Sequence, residues 1–161
     1  MFVHPVKPIY NENSKILILG TFPSVKSREA CFFYSHPQNR FWRVMARICK
    51  SEIPVTIEEK TALILDHNFA LWDVIHSCDV TGSSDSSIKN VVPNDIKAIM
   101  DKTSVDKIFV NGKKAENLYK KYLEKDIGIT AVCLPSTSPA NAMWSEDRLF
   151  EYWNEKINGE N

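Results

Sequence analysis

The chain has 161 residues, 43% hydrophobic and 25% charged, with 20 basic and 20 acidic residues and a formal net charge of zero. That size and mixture fit one globular domain over residues 1–161, and no apolar stretch approaches the roughly 18 residues that cross a bilayer. The opening Met-Phe-Val-His-Pro lacks the basic and apolar blocks of a secretory leader, so a cytoplasmic, non-membrane protein is expected, and zero net charge leaves any nucleic-acid contact to locally placed cations.

Residues 15–20 (KILILG) form a short apolar run ending in glycine, the pattern of a buried strand that opens into a turn. The cation-bearing stretch 38–50 reads as a helix. Arg40, Arg43 and Arg47 fall on one side of it, opposite Phe41, Val44, Met45 and Ile48. A helix is expected over 57–68 and a strand over 70–75, although the period of the latter is ambiguous. Residues 79–90 are polar and glycine-containing and read as a long loop. A helix over 94–102 follows, then a strand over 105–110. The spacing of Ala115, Leu118, Tyr119, Tyr122 and Leu123 predicts an amphipathic helix over 113–125. After a strand over 129–134, Ser145 with Glu146 and Asp147 marks the start of a last helix that buries Leu149, Phe150, Trp153 and Ile157. Alternating strands and helices predict a three-layer α/β/α sandwich around a mainly parallel four-stranded sheet. Its site is expected beyond the carboxyl ends of the strands.

Cys31, Cys49, Cys78 and Cys133 are scattered and form no CxxC pair, which argues against a zinc ribbon, an iron-sulfur cluster or a disulfide scaffold. There is no P-loop, dinucleotide fingerprint or metal-ligand spacing, so neither cofactor nor metal is expected. The chemistry concentrates in three segments. Gly20-Thr21-Phe22-Pro23-Ser24, followed by Ser27, is a tight turn after the first strand. Tyr34 to Trp42 gathers aromatic rings, His36, the amide of Asn39 and the guanidinium of Arg40. Pro135 to Asn141 follows the last strand with Ser136, Thr137 and Ser138 in succession. On position alone, Asn39 reads best as a cap for the helix that follows it.

Together these segments resemble the uracil-DNA glycosylase superfamily. His36-Pro-Gln-Asn-Arg-Phe-Trp42 is similar to the string after motif one in the mismatch-specific uracil and thymine DNA glycosylases. A closer similarity is to the hypoxanthine-DNA glycosylases, through Gly20 to Ser24, Tyr34 to Trp42 and Pro-Ser-Thr-Ser-Pro-Ala-Asn141, with further likeness at Leu71-Trp-Asp73, Gly82-Ser-Ser-Asp85 and Asn111-Gly-Lys113. The resemblance implies a monofunctional glycosylase that flips a deaminated base out of DNA and hydrolyses its N-glycosidic bond. Uracil-active relatives carry an amide or carboxylate in the motif-one turn. Thr21 and Phe22 stand there instead, which shifts the implied catalytic role to Asn39 and the implied substrate from uracil to deoxyinosine.

On the same resemblance, Gly20, Thr21, Phe22, Pro23, Ser24 and Tyr34 are expected to form the base pocket. Ser27, Arg40, Lys113, Ser136, Thr137, Ser138, Pro139, Ala140 and Asn141 are expected to meet DNA, with a duplex wedge among residues 140–143. His36 and Asp85 are secondary candidates, each also readable as an ordinary loop residue. The implied partner is DNA carrying a deaminated base, met by a monomer with no obligate protein partner. The alternatives are a mismatch-specific uracil or thymine enzyme and a non-catalytic DNA-binding domain of the same fold. A serine hydrolase built on Ser136 ranks last, because no G-x-S-x-G elbow is present.

Overall fold

The computed structural model describes residues 1–159. Its centre is a four-stranded parallel sheet ordered β3-β2-β6-β7, built from β2 (Ile16–Gly20), β3 (Phe69–Asp73), β6 (Lys107–Asn111) and β7 (Val132–Leu134). Along each strand, successive side chains enter opposite layers. Ile18, Leu71 and Phe109 join a core with α2 (Phe41–Ile48), α3 (Ile57–Asp66) and α7 (Glu146–Asn158). Leu17, Leu19, Ala70, Ile108 and Val110 join a second core with α4 (Ile96–Lys102) and α5 (Lys113–Tyr122). Two cores on two faces of one sheet make the expected α/β/α sandwich. Fully burying side chains such as Phe41, Trp153 and Tyr119 contributes roughly 1.5–3 kcal/mol each in transfer free energy.

Several boundaries differ from the sequence reading, each for a local reason. Residues 38–40 stay outside α2, because the Asn39 side chain takes the Phe41 N–H and the Arg40 N–H goes to the Thr137 carbonyl. A short helix, α1 (Val25–Ala30), was not anticipated; Ser24 caps it by accepting the Ser27 N–H. The stretch expected as one strand over 70–75 is two. β3 ends at Asp73 and the chain bends at Val74 into β4 (Ile75–Asp79). β4 belongs to a separate antiparallel sheet with β1 (Phe2–Val3) and β5 (Lys89–Pro93), in the order β1-β4-β5. Asn94, expected to begin a helix, is buried and donates to the Asp73 and Ile75 carbonyls, pinning the bend, while Asp95 caps α4. The helix expected over 113–125 breaks at Leu123 and resumes as the one-turn α6 (Glu124–Ile127). In α7, Leu149, Trp153 and Ile157 are buried as expected, while Phe150 is half-buried beneath the Arg47 guanidinium.

Candidate active site

Three parallel strands end side by side. Gly20 is in register with Asp73 on β3, and β6 closes with Asn111 on the other flank of β2. Beyond these ends lies a cavity of about 390 Å³, within the range of small-molecule sites. Its wall includes Gly20, Phe22, Tyr34, Asn39, Asp73 and Asn111.

Gly20 is required by close approach. A Cβ there would run into the Asp73 carboxylate and stand 2.9 Å from the Tyr34 hydroxyl, so only glycine leaves room for both groups. The Gly20 and Thr21 carbonyls accept the Val74 and Ile75 N–H groups, which fixes the turn over the bend. Tyr34 holds a left-handed backbone (φ 52), a conformation that costs a non-glycine residue roughly 1–2 kcal/mol. Its ring stacks on Phe41 with centroids 4.1 Å apart, and its hydroxyl is buried with no hydrogen-bond partner among the described residues. Burial pushes its ionisation well above the ordinary tyrosine range, and nearby Asp73 adds to the effect while Asn111 opposes it.

Asn39 stands on the wall with its Oδ1 2.9 Å from the Phe41 nitrogen, so it supports the helix start, though from one residue before the cap position at Arg40. A carbonyl oxygen has two lone pairs, so this bond leaves one acceptor site of Oδ1 and the NH2 group unused.

The third segment is locked from beneath. The Asn111 amide donates to Thr137 Oγ1 and accepts the Thr137 N–H, both at 3.1 Å. The Asn141 amide donates to the Ser136 carbonyl, and Ser136 and Ser138 hydroxyls accept N–H groups two residues on. Gly112, at φ 101, leaves space that a side chain would take from Ser136, whose Cβ lies 3.3 Å from a built Cβ.

Several residues expected to meet DNA are engaged elsewhere. The Arg40 guanidinium donates to the Ser138, Asn141 and Trp144 carbonyls, which makes it a clamp on the loop and not a free phosphate ligand. Thr137 is fully buried and its hydroxyl belongs to Asn111. Ser27 is buried, where its hydroxyl accepts the Ser35 N–H and meets Ser24. Lys113 pairs with Glu116 on the α5 surface, outside the cavity wall. Arg43 and Arg47 pair with Glu146, and Arg47 also with Asp147. His36 is off the wall too, with its Nδ1 accepting the Gln38 N–H. Ser136, Ser138, Ala140 and Asp85 do line the cavity, whereas Pro139 and Asn141 do not. Ala142 and Met143 project from the loop, Met143 at 87% exposure.

Four contributors had no role in the sequence reading, although Asp73 and Asn111 lie in two of the strings that carried the resemblance. Asp73, Asn111, His4 and Arg28 sit at or behind the wall, and Arg28 donates to the Pro23 and Gly82 carbonyls, tying the first turn to the loop after β4. The rule that sites gather at strand carboxyl ends would have found Asp73 and Asn111 once the strands were correctly ended. His4 lies 69 residues from its partner, and no local pattern marks it.

The pocket at the ends of the parallel strands therefore carries an amide, Asn39, and a buried carboxylate, Asp73, on its wall. The chain matches the Uracil DNA glycosylase superfamily over residues 7–158, and it belongs to that superfamily. A protein of Methanosarcina acetivorans named hypoxanthine DNA glycosylase is 35% identical over 89% of this chain and 91% of its own length. A protein of the same name from Methanosarcina barkeri is 29% identical over 83% and 85%. The solution NMR structure of a Methanosarcina acetivorans protein, provisionally described as a uracil DNA glycosylase, superposes with a TM-score of 0.80 at 30% identity, covering 94% of this chain and 93% of that one.

Proposed function

We propose that this chain excises hypoxanthine from DNA by hydrolysing the N-glycosidic bond of deoxyinosine and leaving an abasic site. The observation that carries recognition of a deaminated base is the pocket floor. There a buried carboxylate, Asp73, lies beside a glycine whose missing side chain leaves it room and near the Tyr34 hydroxyl. Hypoxanthine presents a ring N–H next to a carbonyl, and the carboxylate accepts the first while a hydroxyl or backbone donor serves the second. Adenine has no such N–H, so deamination creates the feature that Asp73 reads; uracil gains one in the same way, and the preference for hypoxanthine over uracil rests on the named relatives. The names of the two Methanosarcina relatives support the same substrate.

Chemistry follows from what the wall lacks as well as what it holds. No carboxylate stands in the turn at Thr21 and Phe22, so the reaction proceeds by departure of the base toward an oxocarbenium-like sugar, with water captured in place. Asn39 Oδ1 keeps a lone pair for that water and its NH2 donates to the base or sugar, contributing position where deprotonation is not required. Phe22 and Tyr34 flank the flipped base. Met143, exposed at the tip of the Arg40-clamped loop, fills the vacated stack in the duplex. DNA is met mainly by the neutral hydroxyls of Ser136 and Ser138 and by the loop rims.

The test is an incubation of inosine-containing and uracil-containing duplexes with enzyme, followed by alkaline cleavage at abasic sites. Strand breaks at inosine are expected. Strong breakage at uracil with intact inosine duplex overturns the substrate assignment.

A further inference from the structure

We infer that His4 is a positioning residue for substrate recognition: it carries its proton on Nε2 and holds the Asp73 carboxylate in the one rotamer that presents a free oxygen to the base. The inference rests on the substrate reading above but assigns a role to His4, which stands behind the cavity wall.

The N-terminal segment delivers the imidazole. Val3 pairs with Ser77 on β4, the His4 N–H donates to the His76 carbonyl, and Ile9 exchanges backbone hydrogen bonds with Leu71. The segment therefore runs along the bend where β3 leaves the central sheet, and the bend is where Asp73 sits. His4 Nε2 lies 2.7 Å from Asp73 Oδ2, and the two side chains are 1% and 5% exposed.

The proton's position follows from the other ring nitrogen. The Val6 N–H points at His4 Nδ1 across 3.1 Å, and a backbone N–H always donates, so Nδ1 must accept. The remaining proton is on Nε2, aimed at Asp73. Aromatic rings fix the imidazole plane: Phe22 meets it edge-on at 5.8 Å, and Trp72 and Phe33 close the other sides. With Oδ2 held, the second oxygen, Oδ1, is the atom that crowds the built Cβ of Gly20. That oxygen is the acceptor offered to the base. A hydrogen bond to an ionised carboxylate of this kind controls binding of a matching N–H in ground and transition states alike, so its loss weakens saturation more than the maximal rate.

The experiment is single-turnover excision on an inosine duplex by the full chain, comparing wild type, His4→Phe and His4→Gln, with the imidazole nitrogens of wild type read by long-range proton–nitrogen correlation NMR. Phe keeps a ring against Phe22, Phe33 and Trp72 but donates nothing, whereas Gln loses the ring and keeps a donor near the Nε2 position. His4→Phe is expected to raise the half-saturating enzyme concentration by about 10- to 100-fold while the maximal rate changes by less than about threefold. His4→Gln is expected to recover most of that loss. A packing role predicts the opposite order, and that order overturns the inference, as does a wild-type spectrum with the proton on Nδ1. If His4→Phe loses its native circular dichroism, a folded His4→Gln enzyme as impaired as a donor-less one is equally contradictory. Wild type that leaves inosine intact refutes the substrate reading instead, and the NMR result still decides the state of His4.

Discussion

Tyr34 combines a strained backbone with a buried hydroxyl that makes no hydrogen bond within 3.5 Å among the described residues. A buried hydroxyl left without a hydrogen bond costs about 1–3 kcal/mol. Tyr34→Phe is therefore expected to melt at the same temperature as wild type or higher, while kcat/KM on inosine duplex falls about tenfold; a variant both less stable and fully active contradicts the role. Gly20→Ala works in the opposite sense. Its methyl meets the Asp73 carboxylate and the Tyr34 hydroxyl, forcing the floor apart, and overpacking of that kind costs typically 1–3 kcal/mol. Loss of excision beyond the loss of stability, measured by urea unfolding alongside single-turnover rates, is expected.

At the scale of elements, the loop between β7 and α7 depends on one side chain. Arg40 satisfies three of its carbonyls from the start of α2, and removing a charged donor from such a network costs about 1.5–3 kcal/mol. Arg40→Ala is expected to lose that much stability and to expose residues 138–144 to faster amide exchange. Arg43→Ala, whose partner Glu146 is about one-third exposed, should lose less than about 1 kcal/mol. The strands and most helices were legible because their apolar spacing is local, and so were the turn at Gly20 and the string from Tyr34 to Trp42. The internal partners of Arg40, Ser27 and Thr137 were not legible, because residue type announces a capacity to bond and says nothing about which carbonyl or amide the fold brings to it, from about 100 residues away for Arg40 and 26 for Thr137. The bend at Val74 was hidden because the apolar residues Val74 and Ile75 stay buried in the second core, continuing the run past the true end of β3.

For the whole molecule, two tyrosines set the alkaline limit. Tyr34 is raised above the ordinary value of 10.0, and Tyr119, whose hydroxyl donates to the Ile129 carbonyl, is pushed by burial to about 12. Both groups bind their protons more tightly folded than unfolded, so the stability they contribute is complete below pH 10 and lost as pH rises above it. Cys49, pushed by burial from 9.0 up to about 11, shifts in the same sense, so chemical denaturation is expected to show flat stability across neutral pH and a decline that begins near pH 9 and steepens beyond pH 10 with the tyrosines, shallower in Tyr34→Phe. The chemical step has no titrating group assigned to it, so single-turnover rates should be nearly level between about pH 6 and 8. A rate that tracked one ionisation there would move the catalytic role from Asn39 to His36.

The central claim joins a substrate to a side chain, and one measurement addresses both. Wild type and Asn39→Ala are incubated with inosine duplex, free base is quantified by chromatography, and duplex binding is measured in parallel. The account predicts stoichiometric free hypoxanthine from wild type, a rate reduced by about two to three orders of magnitude in Asn39→Ala, and comparable duplex binding by both. Equal release by the two proteins, or none by either, would contradict it.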